Sequence, residues 1–450
     1  MSAASAGRWL FGIVAVAALA RLILIGGESY WFDEIWAVKQ VRGELGTVLS
    51  SLAKEDVHPP LYPILLWGWI RMMGEAEWAT RLFSAVVGTG AVAVLYALGR
   101  DLFNRRVGLV AAAILAVHAF AVYYSQETRC YSLMLFLATL ATWALVRWEQ
   151  APTSRRRAVA YVLAGVALAY VHVFAIFVLL AHGIWALTLP HLRVRMVVAG
   201  AVIFAAFAPW LPFMLGQVDR VQEGFWIDPM TWTDPLKWLW YWSGYNIPLL
   251  LLLVPLIVVG FRQSTVKQAR LLALIAVFPV AIPVLLSIIG EPIFHHKYPI
   301  AILAPLCLAA AVGLLTLKPA RRHIAAAALA GLLVVGLPFT VYLKVDKEQY
   351  REIAELAVAD ERGGAGLISE DGMRHYIGFY LDPALVNWLE DDVSADDLVD
   401  LARAHDGHLT YLLVHPRSTE REAVLAELFE RVEVIELRSA RAIRYRLLTE

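Results

Sequence analysis

Residue types that could do chemistry fall in five short stretches. Trp31-Phe32-Asp33-Glu34 and His58-Pro59-Pro60-Leu61-Tyr62 come early, and Tyr124-Ser125-Gln126-Glu127-Thr128-Arg129-Cys130-Tyr131 follows. His172 stands between two apolar runs, and His295-His296-Lys297-Tyr298 comes late. Together they offer carboxylates that can accept a hydroxyl proton (Asp33, Glu34, Glu127) and cations that can hold a departing phosphate. Arg129 presents a planar bidentate fork and Lys297 a compact charge. His58 joins them only when protonated, since histidine is neutral or charged near pH 7. Plainer readings compete. Glu127 can pair locally with Arg129, Lys297 can meet lipid headgroups, and Asp33 can be a solvated carboxylate at a helix end.

The elements that must position these residues are apolar. The 450-residue chain is 60% hydrophobic and 17% charged, against about 25% charged for a soluble domain. Lys+Arg and Asp+Glu number 39 each, so no basic footprint for nucleic acid exists. Two cysteines, Cys130 and Cys307, form neither a disulfide framework nor a cysteine zinc site. The charge balance hides a split. Residues 344–450 hold 13 basic and 23 acidic groups, a net of −10, and residues 1–343 carry a net of +10. The expected domains are therefore a membrane part, 1–343, and an acidic, water-facing part, 344–450.

Eleven apolar runs suit helices across roughly 30 Å of hydrocarbon: 8–26, 80–99, 107–124, 131–147, 157–171, 173–189, 195–215, 246–261, 270–289, 299–317 and 323–343. The first is read as an uncleaved anchor, because Arg21 interrupts it and no clean cleavage site follows. Alternating the loops puts 15 basic residues on one face and nine on the other. The positive-inside rule makes the first face cytoplasmic. The expectation is a multi-pass protein of the cytoplasmic membrane, N-terminus cytoplasmic and residues 344–450 extracytoplasmic. Of the 16 carboxylates before Lys344, 14 lie on or near the outer face and none at mid-membrane. This points to chemistry at the outer surface and away from an ion-coupled carrier.

Residues 27–79 are too long for a simple connection. Glu34–Leu52 places Val38, Val41, Leu45, Val48, Leu49 and Leu52 at helical spacing, which predicts an interfacial amphipathic helix. Pro59 and Pro60 suit a helix start, and Leu61–Met73 is apolar but too short to span. Residues 216–246 are dense in aromatics, Trp226 among them, and suit a headgroup-level belt or a wall for sugar or lipid. After Lys344, helices at 349–359, 395–404 and 420–431 alternate with strands at 366–369, 409–414, 432–437 and 442–448, predicting a small α/β domain.

With an Asp-Glu pair after the first span, a His-Pro-Pro-Leu segment and a Ser-Gln-Glu-x-Arg-x-Tyr turn, the chain resembles the polytopic glycosyltransferases that use polyprenyl-phosphate-linked sugars. These include the dolichyl-phosphate-mannose–protein mannosyltransferases and the lipid A aminoarabinose transferases. The resemblance covers about residues 8–315. It implies a GT-C-like α-helical polytopic fold with interfacial helices in the first outer loop, a polyprenyl-phosphate sugar donor, and a glycan, lipid or protein acceptor. It implies Asp33 as catalytic base, since the family's catalytic acid corresponds to the first residue of this pair. Glu34 would support Asp33, and Glu127 would orient the acceptor or its sugar. Arg129, His58 and Lys297 are the phosphate candidates, although some relatives hold a Lys at the position of His58. Tyr62, Tyr131, His172, Trp226, His296 and Tyr298 are candidates for substrate contact. No cofactor is required. A divalent metal on His295, His296 and His172 with Asp33 or Glu127 is conceivable chemistry, but no spacing fixes such a site. The rival function is a flippase or transporter of polyprenyl-linked lipid, which the carboxylate positions disfavour.

Overall fold

The computed structural model describes residues 2–56, 58–222, 227–390, 393–415 and 420–448. They gather into two units, Met1–Ile25 with Gln40–Lys344, and Gly26–Lys39 with Val345–Glu450.

The first unit is helical, as apolar runs must be where no water can satisfy their backbone. All eleven expected runs are helical. Among the described residues, six helical stretches are long and apolar enough to cross a membrane: Ala3–Leu22, Glu77–Leu102, Tyr131–Glu149, Arg193–Gly216, Val266–Ile289 and Pro319–Tyr342. Two bent pairs bring that number to eight. They are Arg105–Ala116 with Ala119–Ser125, bent by 61°, and Asp234–Trp242 with Ile247–Gln263, bent by 87°. The other expected runs are shorter helices, Arg155–Ala169, Ala175–Leu187 and Ile300–Thr316. Helices Ile247–Gln263 and Leu303–Thr316 touch backbone to backbone. A Cβ on Gly260 would stand 1.8 Å from the Ala309 carbonyl oxygen, and one on Gly313 1.9 Å from that of Leu256. Small residues are what permit such contact.

Arg21 explains the first bend. It is fully buried within Ala3–Leu22. Its Nη1 donates to the carbonyls of Ala116 at 2.8 Å and Ala17 at 3.0 Å, and its Nη2 to that of Leu115 at 3.4 Å. Its Nε donates to Ser125 Oγ at 3.1 Å. The break at Val117-His118 deprives the last carbonyls of Arg105–Ala116 of helical partners, and the guanidinium replaces them. Gln126 Nε2 donates back to the Arg21 carbonyl at 3.1 Å and that of Ile23 at 2.8 Å. The turn that carries Glu127 and Arg129 is thus tied to the first helix.

The single helix expected over Glu34–Leu52 is two helices, Phe32–Gln40 and Leu45–Glu55. Gly43 lies in the break, where a glycine lowers helix stability by about 1 kcal/mol relative to alanine. Its carbonyl accepts from Trp67 Nε1 at 3.1 Å and from Arg71 Nη2. The expected apolar stripe is largely kept, with Val38, Val41, Val48 and Leu52 buried and Leu49 exposed. Leu61–Met73 is a helix, preceded by the two prolines and closed by Gly74 at φ 84°.

The second unit contains a five-stranded sheet: β1 (Gly366–Glu370), β2 (Val386–Leu389), β3 (His408–Val414), β4 (Phe429–Leu437) and β5 (Ala440–Leu447). The order is β2-β1-β3-β5-β4, with β1 parallel to β2 and β3, and β5 antiparallel to β3 and β4. Helices Tyr350–Arg362, Ala395–Ala404 and Glu420–Leu428 alternate with the strands, giving the expected α/β character. Ile368, Leu398, Leu409, Tyr411 and Ile443 form its core. The strand β2, only four residues long, was not expected.

Candidate functional site

In the first unit, four stretches far apart in sequence meet. Leu61 N–H donates to the Tyr170 carbonyl at 3.0 Å, tying the His-Pro-Pro segment to the connection that carries His172. The rings of His58 and His172 then stand 5.2 Å apart, edge to face. His172 also lies 6.2 Å from Tyr131 and 5.0 Å from Tyr298, between ring centroids. Lys297 Nζ sits 5.7 Å from the Tyr131 ring centroid, and the lysine is buried. Glu127 and Thr128 are buried, with Thr128 Oγ1 2.7 Å from Thr80 Oγ1. Arg129 is half-buried, and its carbonyl accepts from Ser84 Oγ at 3.4 Å. Its charge acts on both His172 and Cys130. Tyr62 is buried and packs against Phe83, 5.9 Å between centroids. The His296 ring packs tilted against Tyr241 at 4.1 Å and His295 at 4.2 Å between centroids, and its carbonyl accepts from Trp242 Nε1 at 2.8 Å. Trp226 lies outside the described residues.

The electrostatics favour an anion. Burial first, then the charges of His58, Arg129 and Lys297, hold His172 well below the ordinary histidine range, so the ring is neutral. Phe174 N–H donates to His172 Nδ1 at 3.1 Å. The single ring proton must therefore sit on Nε2, which is buried and meets no partner among the described residues. Burial also lowers His295 to about 2 and His296 to about 3, with Lys297 adding to both, and pushes the Cys130 thiol up to about 11. Asp56 Oδ1 accepts from the His58 backbone N–H at 3.1 Å and lies 3.2 Å from the His58 Nδ1.

Ligating atoms of His58, Cys130 and His172 lie within 4.8 Å of one another, the one such group among the described residues. This is a donor set for a soft divalent cation. The fit fails in two respects. His172 Nε2 carries the proton and has no lone pair to give, and Arg129 and Lys297 already place positive charge on the group. His295, His296, Asp33 and Glu127, also weighed as ligands, are not in it.

Asp33 and Glu34 lie in the second unit, in the first turn of helix Phe32–Gln40. Asp33 is half-buried and Glu34 fully buried. Glu34 Oε2 accepts from Lys347 Nζ at 2.9 Å. The rest of the segment is fastened likewise. Glu28 Oε1 accepts from Asp346 N–H at 2.6 Å, Ser29 Oγ donates to the Glu348 carbonyl, and Tyr30 N–H donates to Tyr380 Oη at 2.6 Å. Lys39 Nζ donates to the His375 carbonyl at 2.7 Å. Phe32 packs on His375 and Tyr376, each 5.5 Å away. Burial first, then the charges of Asp33 and Glu34, raise the Glu348 carboxyl. Sequence reasoning missed Asp56, Lys347 and Glu348. The Asp-x-His spacing is a local signal for the first, whereas nothing local announces the other two.

A family model described as dolichyl-phosphate-mannose-protein mannosyltransferase matches residues 57–213. The crystal structure of ArnT from Cupriavidus metallidurans bound to undecaprenyl phosphate matches with a TM-score of 0.65 at 14% identity, covering 97% of this chain and 98% of that one. The apo Archaeoglobus fulgidus oligosaccharyltransferase matches with a TM-score of 0.55 at 11% identity, over 92% of this chain and 71% of that one. A sequence search among curated proteins finds no match. The chain has the GT-C fold, and its resemblance to the polyprenyl-phosphate-sugar-dependent membrane glycosyltransferases, first read from its motifs, holds.

Proposed function

We propose that this protein is a membrane glycosyltransferase that moves a sugar from a polyprenyl-phosphate donor to an acceptor hydroxyl at the outer face of the cytoplasmic membrane, with Asp33 as general base. The observation that carries the reading is the convergence of His58, Arg129, His172 and Lys297, from four stretches, beside Tyr131 and Tyr298. It offers cations, a buried neutral N–H and aromatic walls, which suit a phosphate leaving group attached to an apolar lipid. The undecaprenyl phosphate bound to the C. metallidurans protein supports the same donor class. Glu34 supports Asp33, and Glu127 orients the acceptor or its sugar. The basic bias of the loops supports a cytoplasmic N-terminus, eleven crossings and an extracytoplasmic C-terminal domain.

The test uses purified protein with a polyprenyl-phosphate sugar and an acceptor identified from glycans and lipids missing in cells without the gene. Asp33→Asn keeps size and most hydrogen bonding. It should bind donor normally while turnover falls by roughly 10²–10⁴-fold, the usual contribution of a general base. Arg129→Ala should raise the donor KM more than Arg129→Lys does. Near-normal turnover by a folded Asp33→Asn protein would move the base to Glu127. Unchanged donor KM in Arg129→Ala would remove Arg129 from the phosphate site.

A further inference from the structure

The contacts of Asp56 deepen the phosphate-binding reading of His58, and the inference rests on that reading. Asp56 follows helix Leu45–Glu55 directly and is 7% exposed. Its Oδ1 accepts the backbone N–H of His58 at 3.1 Å and faces its Nδ1 at 3.2 Å. The first contact is the turn that aspartate commonly forms with the residue two positions on. The second uses Nδ1, so Nε2 is the ring edge left to face a ligand. A carboxylate behind an imidazole fixes the ring's orientation and tautomer, and it gives the protonated ring a counter-charge.

The counter-charge is needed here. The surroundings of His58 include the His172 ring at 5.2 Å and Cys130 within ligating distance, and the cations Arg129 and Lys297 act on that same group. A third positive charge among them is unfavourable unless an anion stands behind it. A histidine, unlike a lysine, is favoured in its charged form near neutral pH when an anion stands beside it. We propose that Asp56 is a positioning residue. It directs the Nε2–H of a protonated His58 at the phosphate of the lipid donor and balances the charge.

The experiment separates this role from the turn. Asparagine at position 56 retains an acceptor oxygen for both N–H groups but has no charge, whereas alanine removes both. Affinity for undecaprenyl phosphate would be measured by titration calorimetry on the full chain in detergent, with thermal unfolding as the check on folding. Asp56→Asn should weaken binding about tenfold, the scale of a charged hydrogen bond reduced to a neutral one. His58→Ala should weaken it at least as much, and Asp56→Asn added to His58→Ala should change nothing more. His58→Lys should restore binding in the Asp56→Asn background, because lysine needs no counter-charge. Wild-type affinity in Asp56→Asn, with loss only in Asp56→Ala, would overturn the proposal and leave Asp56 as a turn residue. Unchanged affinity in His58→Ala would overturn the phosphate reading of His58 itself, and the proposal with it.

Discussion

Lys347 and Glu34 form a buried ion pair 313 residues apart in sequence, and breaking it should loosen the segment that carries Asp33. The side chains are 4% and 0% exposed, so water screens the pair very little. Removing one partner of such a pair typically costs about 3–5 kcal/mol, because the other charge remains buried. The cost should fall on the local opening of Gly26–Lys39, which hydrogen bonds such as Tyr30 N–H to Tyr380 Oη and the packing of Phe32 on His375 and Tyr376 also tie to the rest of the second unit. At about 1.4 kcal/mol per tenfold, amide exchange there should quicken by roughly a hundred- to a thousandfold or more in Lys347→Met. Hydrogen exchange with mass spectrometry on the full chain in detergent reads this directly. The double variant Glu34→Gln/Lys347→Met removes both charges and should recover most of the protection. Turnover should fall in Lys347→Met and partly return in the double variant, since Asp33 precedes Glu34 directly. Unchanged exchange across residues 28–39 in Lys347→Met would refute the claim that this pair holds the segment.

Two further outcomes follow from buried groups elsewhere. Arg21→Met should destabilise the protein in detergent by about 1–3 kcal/mol, because the Ala116 carbonyl loses its guanidinium donor at the helix break. A melting temperature equal to wild type would show that the break needs no cap. Acid should also destabilise the first unit. His295 and His296 are held down to about 2 and about 3, so the folded state binds fewer protons than the unfolded chain below pH 6.5. Stability is then full above that value and declines by about 1 kcal/mol per histidine for each pH unit below it. Melting curves between pH 7.5 and 5.5 should show the decline, and His295→Asn/His296→Asn should flatten it; an equal slope in the variant refutes the assignment.

Much of the architecture was legible because composition dictates it. Leu61–Met73 was readable in the sequence, since two prolines precede it and its apolar run stops at Met73; the structure adds Gly74 at positive φ as the stop. The break between Phe32–Gln40 and Leu45–Glu55 was not, because the apolar stripe runs through Gly43 without losing its spacing. β2 escaped because Val-Asn-Trp-Leu is too short to show alternation. The motifs marked the stretches that meet around His172, but only the fold could show which ring faces which. Lys347 could not be found at all. A buried cation in an acidic, water-facing region looks like any surface lysine until its partner is known.

The environment of Asp33 bears on which carboxylate serves as base. The charge of Asp33 acts on Glu348, and burial raises the Glu348 carboxyl above the ordinary range before any charge is counted. The negative charges of Asp33 and Glu34 raise it further, while Arg438 opposes them. A carboxyl group pushed up holds its proton more readily and so adds less negative charge beside its neighbours. Lys347, next to Glu348 in sequence, brings positive charge to Glu34, in the helix turn that also holds Asp33. The proposed base at Asp33 would therefore have two consecutive residues of the C-terminal chain near it: Lys347, which pairs with Glu34, and Glu348, whose carboxyl is raised.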